Sequence, residues 1–261
     1  MIKFCSLVSG SSGNCVLVSD EKTNILIDCG ISKRRVVDLL ARANVDARDI
    51  DAILVTHEHG DHIGGIGVMS RAFDIPVYAN ELTWQAMGDS LGKIDKKNIR
   101  YINPGESFEI KSIGAVSFDT PHDASSPVGY SFEAGGLKMS IATDMGCEKE
   151  NVIDALCGSD IVLLEANHDV QMLKNGSYPE MLKKRILGEL GHLSNESAAN
   201  IATKLLRSGT RAILLGHLSE QNNIPDIAYG VVKKALCDAG AKIDRDIRLA
   251  VASKSDISGM F

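Results

Sequence analysis

Short apolar runs separated by glycine- and acid-bearing turns recur along this chain. Val16-Leu17-Val18, Ile25-Leu26-Ile27 and Ile53-Leu54-Val55 are continuous rather than alternating, as in strands buried on both faces. Between the second and third, Val36, Val37, Leu39, Leu40 and Ala43 fall at helical spacing and predict an amphipathic helix over 33–43. A second helix is predicted over 63–73, ended near Asp74-Ile75-Pro76. Val77-Tyr78-Ala79, Phe108-Glu109-Ile110, Val116-Ser117-Phe118 and Tyr130-Ser131-Phe132 continue the strand series. The second half predicts strands over 137–142, 161–164, 212–215 and 247–252, with helices over 195–206 and 228–239. Residues 1–8 predict a first strand running into the turn Ser9-Gly10-Ser11-Ser12-Gly13-Asn14. No Pro/Ser-rich linker interrupts the series. The expectation is one domain over 1–261, made of two similar β/α halves with helices outside and a site where strand ends meet.

One strand end stands out. The run Ala52-Ile53-Leu54-Val55-Thr56 leads directly into His57-Glu58-His59-Gly60-Asp61-His62. In an extended segment, residues two apart share a side, so His57 and His59 can hold one ion. Gly60 lets the backbone turn, and Asp61 and His62 then face a second position. Imidazole and carboxylate suit zinc, manganese or iron. The bland reading is a solvated polar loop, and three histidines with an aspartate at this spacing argue against it. His122, His168, His192 and His217 also fall in loops or at element ends. Asp28, Asp144 and His217 follow strands as His57 does. A lone residue of that kind is ordinarily a turn former or cap; the shared position groups them.

Composition narrows the class. With 261 residues, 44% hydrophobic and 24% charged, the chain resembles a soluble globular protein. No apolar stretch approaches the roughly eighteen residues of a membrane span, and the N-terminus is too polar for a signal-peptide core. Six cysteines stand singly, without a Cys-x-x-Cys pair, which fits a reducing cytoplasm. The formal net charge of −6 argues against broad attraction to nucleic acid. Three local basic runs remain: Lys33-Arg34-Arg35, Lys93-Ile94-Asp95-Lys96-Lys97 and Lys183-Lys184-Arg185. Each is either a solvated helix face or a track for a phosphate backbone.

The pattern His57-x-His59-x-Asp61-His62, then His122, Asp144 and His217, preceded by Ile27-Asp28-Cys29-Gly30, resembles the metallo-β-lactamase-fold hydrolases over nearly the full length. That resemblance implies an α/β fold (α+β in some schemes), a four-layer αββα sandwich holding two divalent metal ions. By it, His57, His59 and His122 bind one ion, Asp61, His62 and His217 the other, and Asp144 bridges both. Asp28 orients the ligand loop from behind. Within the superfamily, Ser9 to Asn14, Thr120-Pro121-His122-Asp123-Ala124, Leu164-Glu165-Ala166-Asn167-His168-Asp169, His192-Leu193-Ser194-Asn195-Glu196 and Gly216-His217-Leu218-Ser219 resemble the YycJ/WalJ-type group. This group is kin to the RNase Z and PhnP phosphodiesterases. Glu165 and His192 match the places of a pair that assists leaving-group protonation in RNase Z-like enzymes. The tRNA-gripping arm of RNase Z and the extra domain of β-CASP nucleases have no counterpart. No cysteine stands at the ligand place used by β-lactam-hydrolysing relatives, and Cys147 is expected to be a buried or ligand-supporting thiol.

The resemblance implies phosphodiester hydrolysis, with DNA as the expected partner and a 5′–3′ exonuclease acting on double strands as the expected type. It further implies that a metal-bridging hydroxide would be the nucleophile. Two divalent ions less Asp61, Asp144 and that hydroxide leave a centre of about +1, which suits a phosphodiester. His192 is the candidate proton donor, Glu165 its holder, and Asp61 both ligand and catalytic residue; His168 is a further catalytic candidate that contacts phosphate or assists the same transfer, against a structural reading. The Ser9–Asn14 turn either offers N–H groups to a phosphate or is a plain hairpin. The alternatives are hydrolysis of a small ester, thioester, lactone or cyclic phosphodiester, and a metal-binding regulatory protein.

Overall fold

Strands buried on both faces must lie between layers, and two sheets provide them here. The computed structural model describes residues 2–259; Met1, where the first predicted strand begins, and Met260 and Phe261 lie outside the described residues. The first sheet runs β1 (Lys3–Val8), β2 (Cys15–Ser19), β3 (Asn24–Ile27), β4 (Ala52–Leu54), β5 (Val77–Ala79) and β6 (Ile99–Tyr101), in that order. The second runs β7 (Ser107–Ile110), β8 (Ile113–Asp119), β9 (Val128–Ala134), β10 (Leu137–Ala142), β11 (Ile161–Glu165), β12 (Ala212–Gly216) and β13 (Arg248–Val251). In each sheet an antiparallel meander passes into parallel strands: β3 through β6 in the first, β10 through β13 in the second.

Alternate side chains explain the layering. Ile25 and Ile27 face Leu163, Leu214, Tyr130 and Phe132 in a core between the sheets. Leu26 and Ile53 point the other way, onto Val36, Leu39 and Leu40 of α1 (Lys33–Arg42) and Ile66 and Met69 of a later helix. On the second sheet, Val162, Leu164, Ile213 and Leu215 meet helices on the outer face. The first half carries α1, α2 (Gly60–Ile63), α3 (Ile66–Phe73) and α4 (Glu81–Met87). The second carries α5 (Glu150–Leu156), α6 (Val170–Asn175), α7 (Glu180–Ile186), α8 (Asn195–Arg207) and α9 (Pro225–Asp238). The result is an αββα sandwich. Ala198, Ile201, Ala202 and Leu205 form the buried stripe of α8, and each such Ile or Leu contributes about 1.5–3 kcal/mol.

The helix predicted over 63–73 is two helices. It breaks at Gly64-Gly65 because Gly65 N–H donates to Cys29 O at 2.7 Å, and a Cβ there would lie 2.1 Å from Ile31 O. The Ser9–Asn14 segment joins antiparallel β1 and β2 as a hairpin turn, closed by Gly10 N–H donating to Asn14 Oδ1 at 3.0 Å. All six cysteines are free, and Cys147 is only half-buried.

Candidate metal centre

Loops at the C-terminal ends of β3, β4, β10, β11 and β12 converge on one groove. Three strand-end residues, Asp28 (φ 57°), Asp144 (φ 58°) and His217 (φ 55°), adopt the left-handed region without being glycine. Such backbone costs on the order of 1–3 kcal/mol per residue and concentrates at functional sites. It turns the chain sharply as it leaves the sheet. His57, His59 and His122 gather in one donor group and Asp61, His62 and His217 in another, ligand atoms within 4.8 Å of one another in each. Asp144 stands between them: its carboxylate lies 3.3 Å from His62 Nε2, 3.5 Å from His217 Nε2 and 3.6 Å from His122 Nε2. A further group joins Asp144, Glu165, His192 and His217. Cys147 belongs to no such group among the described residues.

The glycine expected to turn this loop is not the one the local packing requires. Gly60 opens α2 with no left-handed φ and nothing within 4 Å of where a Cβ would sit, so its backbone needs no glycine. Gly30 is the required one: a Cβ there would lie 1.6 Å from Asp61 O.

A buried network aims the rings. Asp28 accepts from Thr56 N–H (2.8 Å), Thr56 Oγ1 (2.7 Å) and His62 Nδ1 (2.7 Å), leaving His62 Nε2 toward Asp144. Thr56 Oγ1 also lies 3.0 Å from His57 Nδ1. Gly191 O lies 3.0 Å from His122 Nδ1. Asn14 Nδ2 lies 3.1 Å from His62 Nε2 and 3.4 Å from Asp61 Oδ2. Glu58 accepts from Ser125 N–H and Oγ, both at 2.8 Å, tying the ligand loop to the loop of His122. Sequence reasoning misses Asn14 and Thr56 as site residues; the glycine/serine turn ending in Asn14 is the one available signal.

Electrostatics divides the donors. Burial, then His62, holds His57 well below the ordinary imidazole range, and burial lowers His122; both are neutral and ready to ligate. Burial opposes charge on His62, but Asp144 and Asp28 outweigh it and raise its pKa well above the usual value. His217, with burial again opposing, is raised to about 10 by Asp144, Asp61 and Glu165. Burial favours neutral Asp144, yet His217 and His62 hold its carboxyl well below the usual range. Asp144 Oδ2 and His217 Nε2 are buried with no hydrogen-bond partner among the described residues. An unpaired buried polar atom of this kind costs about 1–3 kcal/mol, and a cation would satisfy Asp144 Oδ2 directly and His217 Nε2 once its proton is displaced. The donor set fits divalent metal.

Comparison with known proteins agrees. Residues 8–217 match the model of the metallo-beta-lactamase superfamily. The chain belongs to that superfamily. It is 40% identical over 249 residues to Exodeoxyribonuclease WalJ of Streptococcus pneumoniae, covering 95% of this chain and 93% of that protein. Exodeoxyribonuclease YycJ of Bacillus anthracis is 37% identical over 239 residues, covering 92% and 90%. The metallo-beta-lactamase fold protein YhfI of Bacillus subtilis superposes with a TM-score of 0.72 at 17% identity, over 98% of this chain and 99% of that one. As a member of the metallo-beta-lactamase superfamily, the chain is a metal-dependent hydrolase.

Around this superfamily centre lie the remaining predicted residues. Glu165, fully buried at the end of β11, accepts from His192 Nδ1 (2.8 Å), His217 Nδ1 (3.2 Å) and Met145 N–H (2.6 Å). Burial raises its pKa, but His192 and His217 more than reverse this and leave it below the usual range. His168 is 1% exposed, and neither ring nitrogen has a partner among the described residues. The basic runs separate. Lys183 is buried against Lys174 O (2.9 Å) and Glu180 (3.0 Å), Arg185 holds Asp123 at 2.5 and 3.0 Å, and Lys97 pairs with Asp74. Lys33, Arg34 and Arg35 face solvent at the start of α1. No helix among the described residues is long and apolar enough to cross a membrane.

Proposed function

We propose that this chain, as one domain over 1–261, is a dinuclear phosphodiesterase that degrades double-stranded DNA as a 5′–3′ exonuclease. The observation that carries the reading is the juxtaposition of two donor groups about Asp144 with the buried Glu165–His192 pair. His57, His59 and His122 would hold one ion and Asp61, His62 and His217 the other, with Asp144 between. Zinc, manganese and iron all suit such nitrogen and oxygen donors. When bound, the ions lower the pKa of water from about 15.7 toward about 7 and neutralise charge on phosphoryl oxygens.

The side chains supply the rest. Burial opposes ionisation of Asp61, but His217 and His62 keep its carboxyl charged, an acceptor able to orient an attacking water. His192 gives its Nδ1–H to Glu165, which leaves Nε2 to deliver a proton to the departing oxygen. His168, held neutral chiefly by burial, is enclosed on both ring nitrogens, which favours its structural reading over contact with a phosphate oxygen.

Two further features favour a nucleic acid. Lys33, Arg34 and Arg35 crowd the first turn of α1, whose Ser32 makes no side-chain cap. Cations oppose the helix dipole there, and a polyanion offsets that cost. The relatives named as exodeoxyribonucleases cover nearly the whole chain.

The test is a screen of metal-reconstituted protein against blunt duplex, single-stranded DNA, RNA and bis-p-nitrophenyl phosphate. End-labelled duplex should be shortened stepwise from its 5′ ends, and His57→Ala and Asp144→Ala should abolish this. Turnover confined to the small diester would move the assignment to a small ester, thioester, lactone or cyclic phosphodiester. Activity surviving both substitutions would remove the metal mechanism.

A further inference from the structure

Behind the groove lies a buried amide cluster, Asn167, Asn195 and Asn223, that none of the steps above uses. Asn223 Nδ2 lies 2.9 Å from Ala166 O, 3.1 Å from Asn167 O and 2.9 Å from Asn195 Oδ1. Its Oδ1 accepts from Asn195 Nδ2 at 3.0 Å and Ile224 N–H at 2.9 Å. An amide has two N–H donors and two acceptor lone pairs, so this one is saturated.

The cluster ties together three segments that carry chemistry. Residues 166–168 extend β11 beyond Glu165. On one side, Asn167 N–H donates to Leu193 O and Asn195 N–H to His168 O, both at 2.9 Å, pinning the chain immediately after His192. On the other, Ala166 N–H donates to Gly216 O at 3.0 Å and Ser219 N–H to Asn167 O at 2.8 Å, flanking His217. Asn167 Nδ2 adds a bond to His217 O at 2.9 Å. Ser194 caps α8 by accepting from Ser197 N–H at 3.2 Å, so α8 begins at the residue that Asn223 grips.

We infer that Asn223, acting through Asn195, is a positioning residue that fixes His192 relative to His217, and so to the leaving oxygen. The inference rests on the phosphodiesterase reading above. In that step the bond from phosphorus to the leaving oxygen breaks as a water oxygen bonds to phosphorus; the water's proton passes to the Asp61 carboxylate and the His192 Nε2 proton to the departing oxygen. Proton transfer needs about 2.6–3.2 Å between heavy atoms, and a 1 Å misplacement costs about 100-fold. His192 sits on the connection between α7 and α8, its ring held by Glu165, which it shares with His217. The amide knot supplies the missing restraint.

Two variants test it. Asn195→Ala removes one arm at the first residue of α8, where alanine is a good helix former, and leaves Asn223 with two carbonyl acceptors and Ile224 N–H. Asn223→Asp turns a carboxylate on three oxygens. The readout is turnover of duplex DNA divided by turnover of bis-p-nitrophenyl phosphate, alongside metal content. p-Nitrophenolate departs without a proton, so a merely structural defect lowers both rates together. A displaced His192 lowers the ratio, by about 10-fold or more in Asn195→Ala, with metal content unchanged. A ratio within about twofold of the parent in a metal-loaded variant overturns the inference; if Asn223→Asp does not fold, Asn195→Ala decides. His192→Ala separates the two readings. If it leaves the ratio unchanged, the proton-donor role falls and this inference with it; if it lowers the ratio and Asn195→Ala does not, the positioning role alone falls.

Discussion

Gly30→Ala perturbs the ligand loop while leaving every candidate donor in place. The added Cβ would lie 1.6 Å from Asp61 O, 2.3 Å from Asp61 C and 2.9 Å from Asn14 N, against an ordinary contact of 3.4 Å or more. All three neighbours are backbone, so no side chain can swing aside. The Asp61 segment must retreat by roughly 1.8 Å to restore that contact, whereas a metal–ligand distance tolerates about 0.2 Å. Retreat strains Asn14 N–H to Asp61 O (2.8 Å), Gly30 N–H to Asn14 O (2.8 Å) and Cys29 N–H to His62 O (2.7 Å). At about 1 kcal/mol per bond and about 1–3 kcal/mol for overpacking, the loss is about 4–6 kcal/mol. Melting should fall by about 10 °C or more in a chain of this size. Metal titration should show the Asp61/His62/His217 group weakened by at least about 10–100-fold. Gly60→Ala, in the same motif but with open space around its Cβ, should change neither quantity. Parental melting and full metal affinity in Gly30→Ala would refute the reasoning.

Three more outcomes follow from the same geometry. Asp28→Asn removes the carboxylate that holds His62 Nδ1 and should weaken metal binding about 10–100-fold in a chelator competition while the protein stays folded; unchanged affinity would contradict the assigned role. Because carboxylates raise His62 and lift His217 to about 10, both rings are protonated at neutral pH before metal binds. Their contribution to the metal-free fold is complete below the ordinary imidazole pKa and lost as pH rises through the raised values, which for His217 is about 10. Metal uptake at pH 7 should therefore release protons and tighten with rising pH, seen as buffer-dependent heats in calorimetry; identical heats across buffers would count against it. Tyr130 donates to Val55 O at 2.7 Å, and burial raises its phenol well above the usual value. Tyr130→Phe should cost about 1–3 kcal/mol at neutral pH and remove a stability loss that the parent shows as pH climbs past about 10, measured by urea unfolding at pH 7 and 10.5.

The strongly apolar elements were legible because strands buried on both faces leave continuous runs. β2, β3, β10, β11 and β12 fall where Val16-Leu17-Val18 and its counterparts place them. β6 was not legible: Ile99-Arg100-Tyr101 is an edge strand with one apolar residue facing inward and carries no periodic signal. The short helices α4 to α7 carry only one or two buried apolar residues each, too few for a stripe. In the site, histidines and aspartates were visible because three histidines and an aspartate crowd into six residues at one strand end and further ones recur at other strand ends. Asn14, Thr56 and Asn223 were not, because an amide or hydroxyl that aims another group looks in sequence like any turn former. The left-handed backbone at Asp28, Asp144 and His217 was equally hidden, since only glycine advertises positive φ.

Each expected cation draws donors from both sheets: His57 and His59 with His122, and Asp61 and His62 with His217. On the proposed ligand assignment neither half of the chain would assemble a working centre alone, and a bound ion would act as a clasp across the seam. A partly made or partly unravelled molecule would carry the fragments of the proposed DNA-degrading machine without its function. On that reading the architecture itself would withhold activity until both halves are in place.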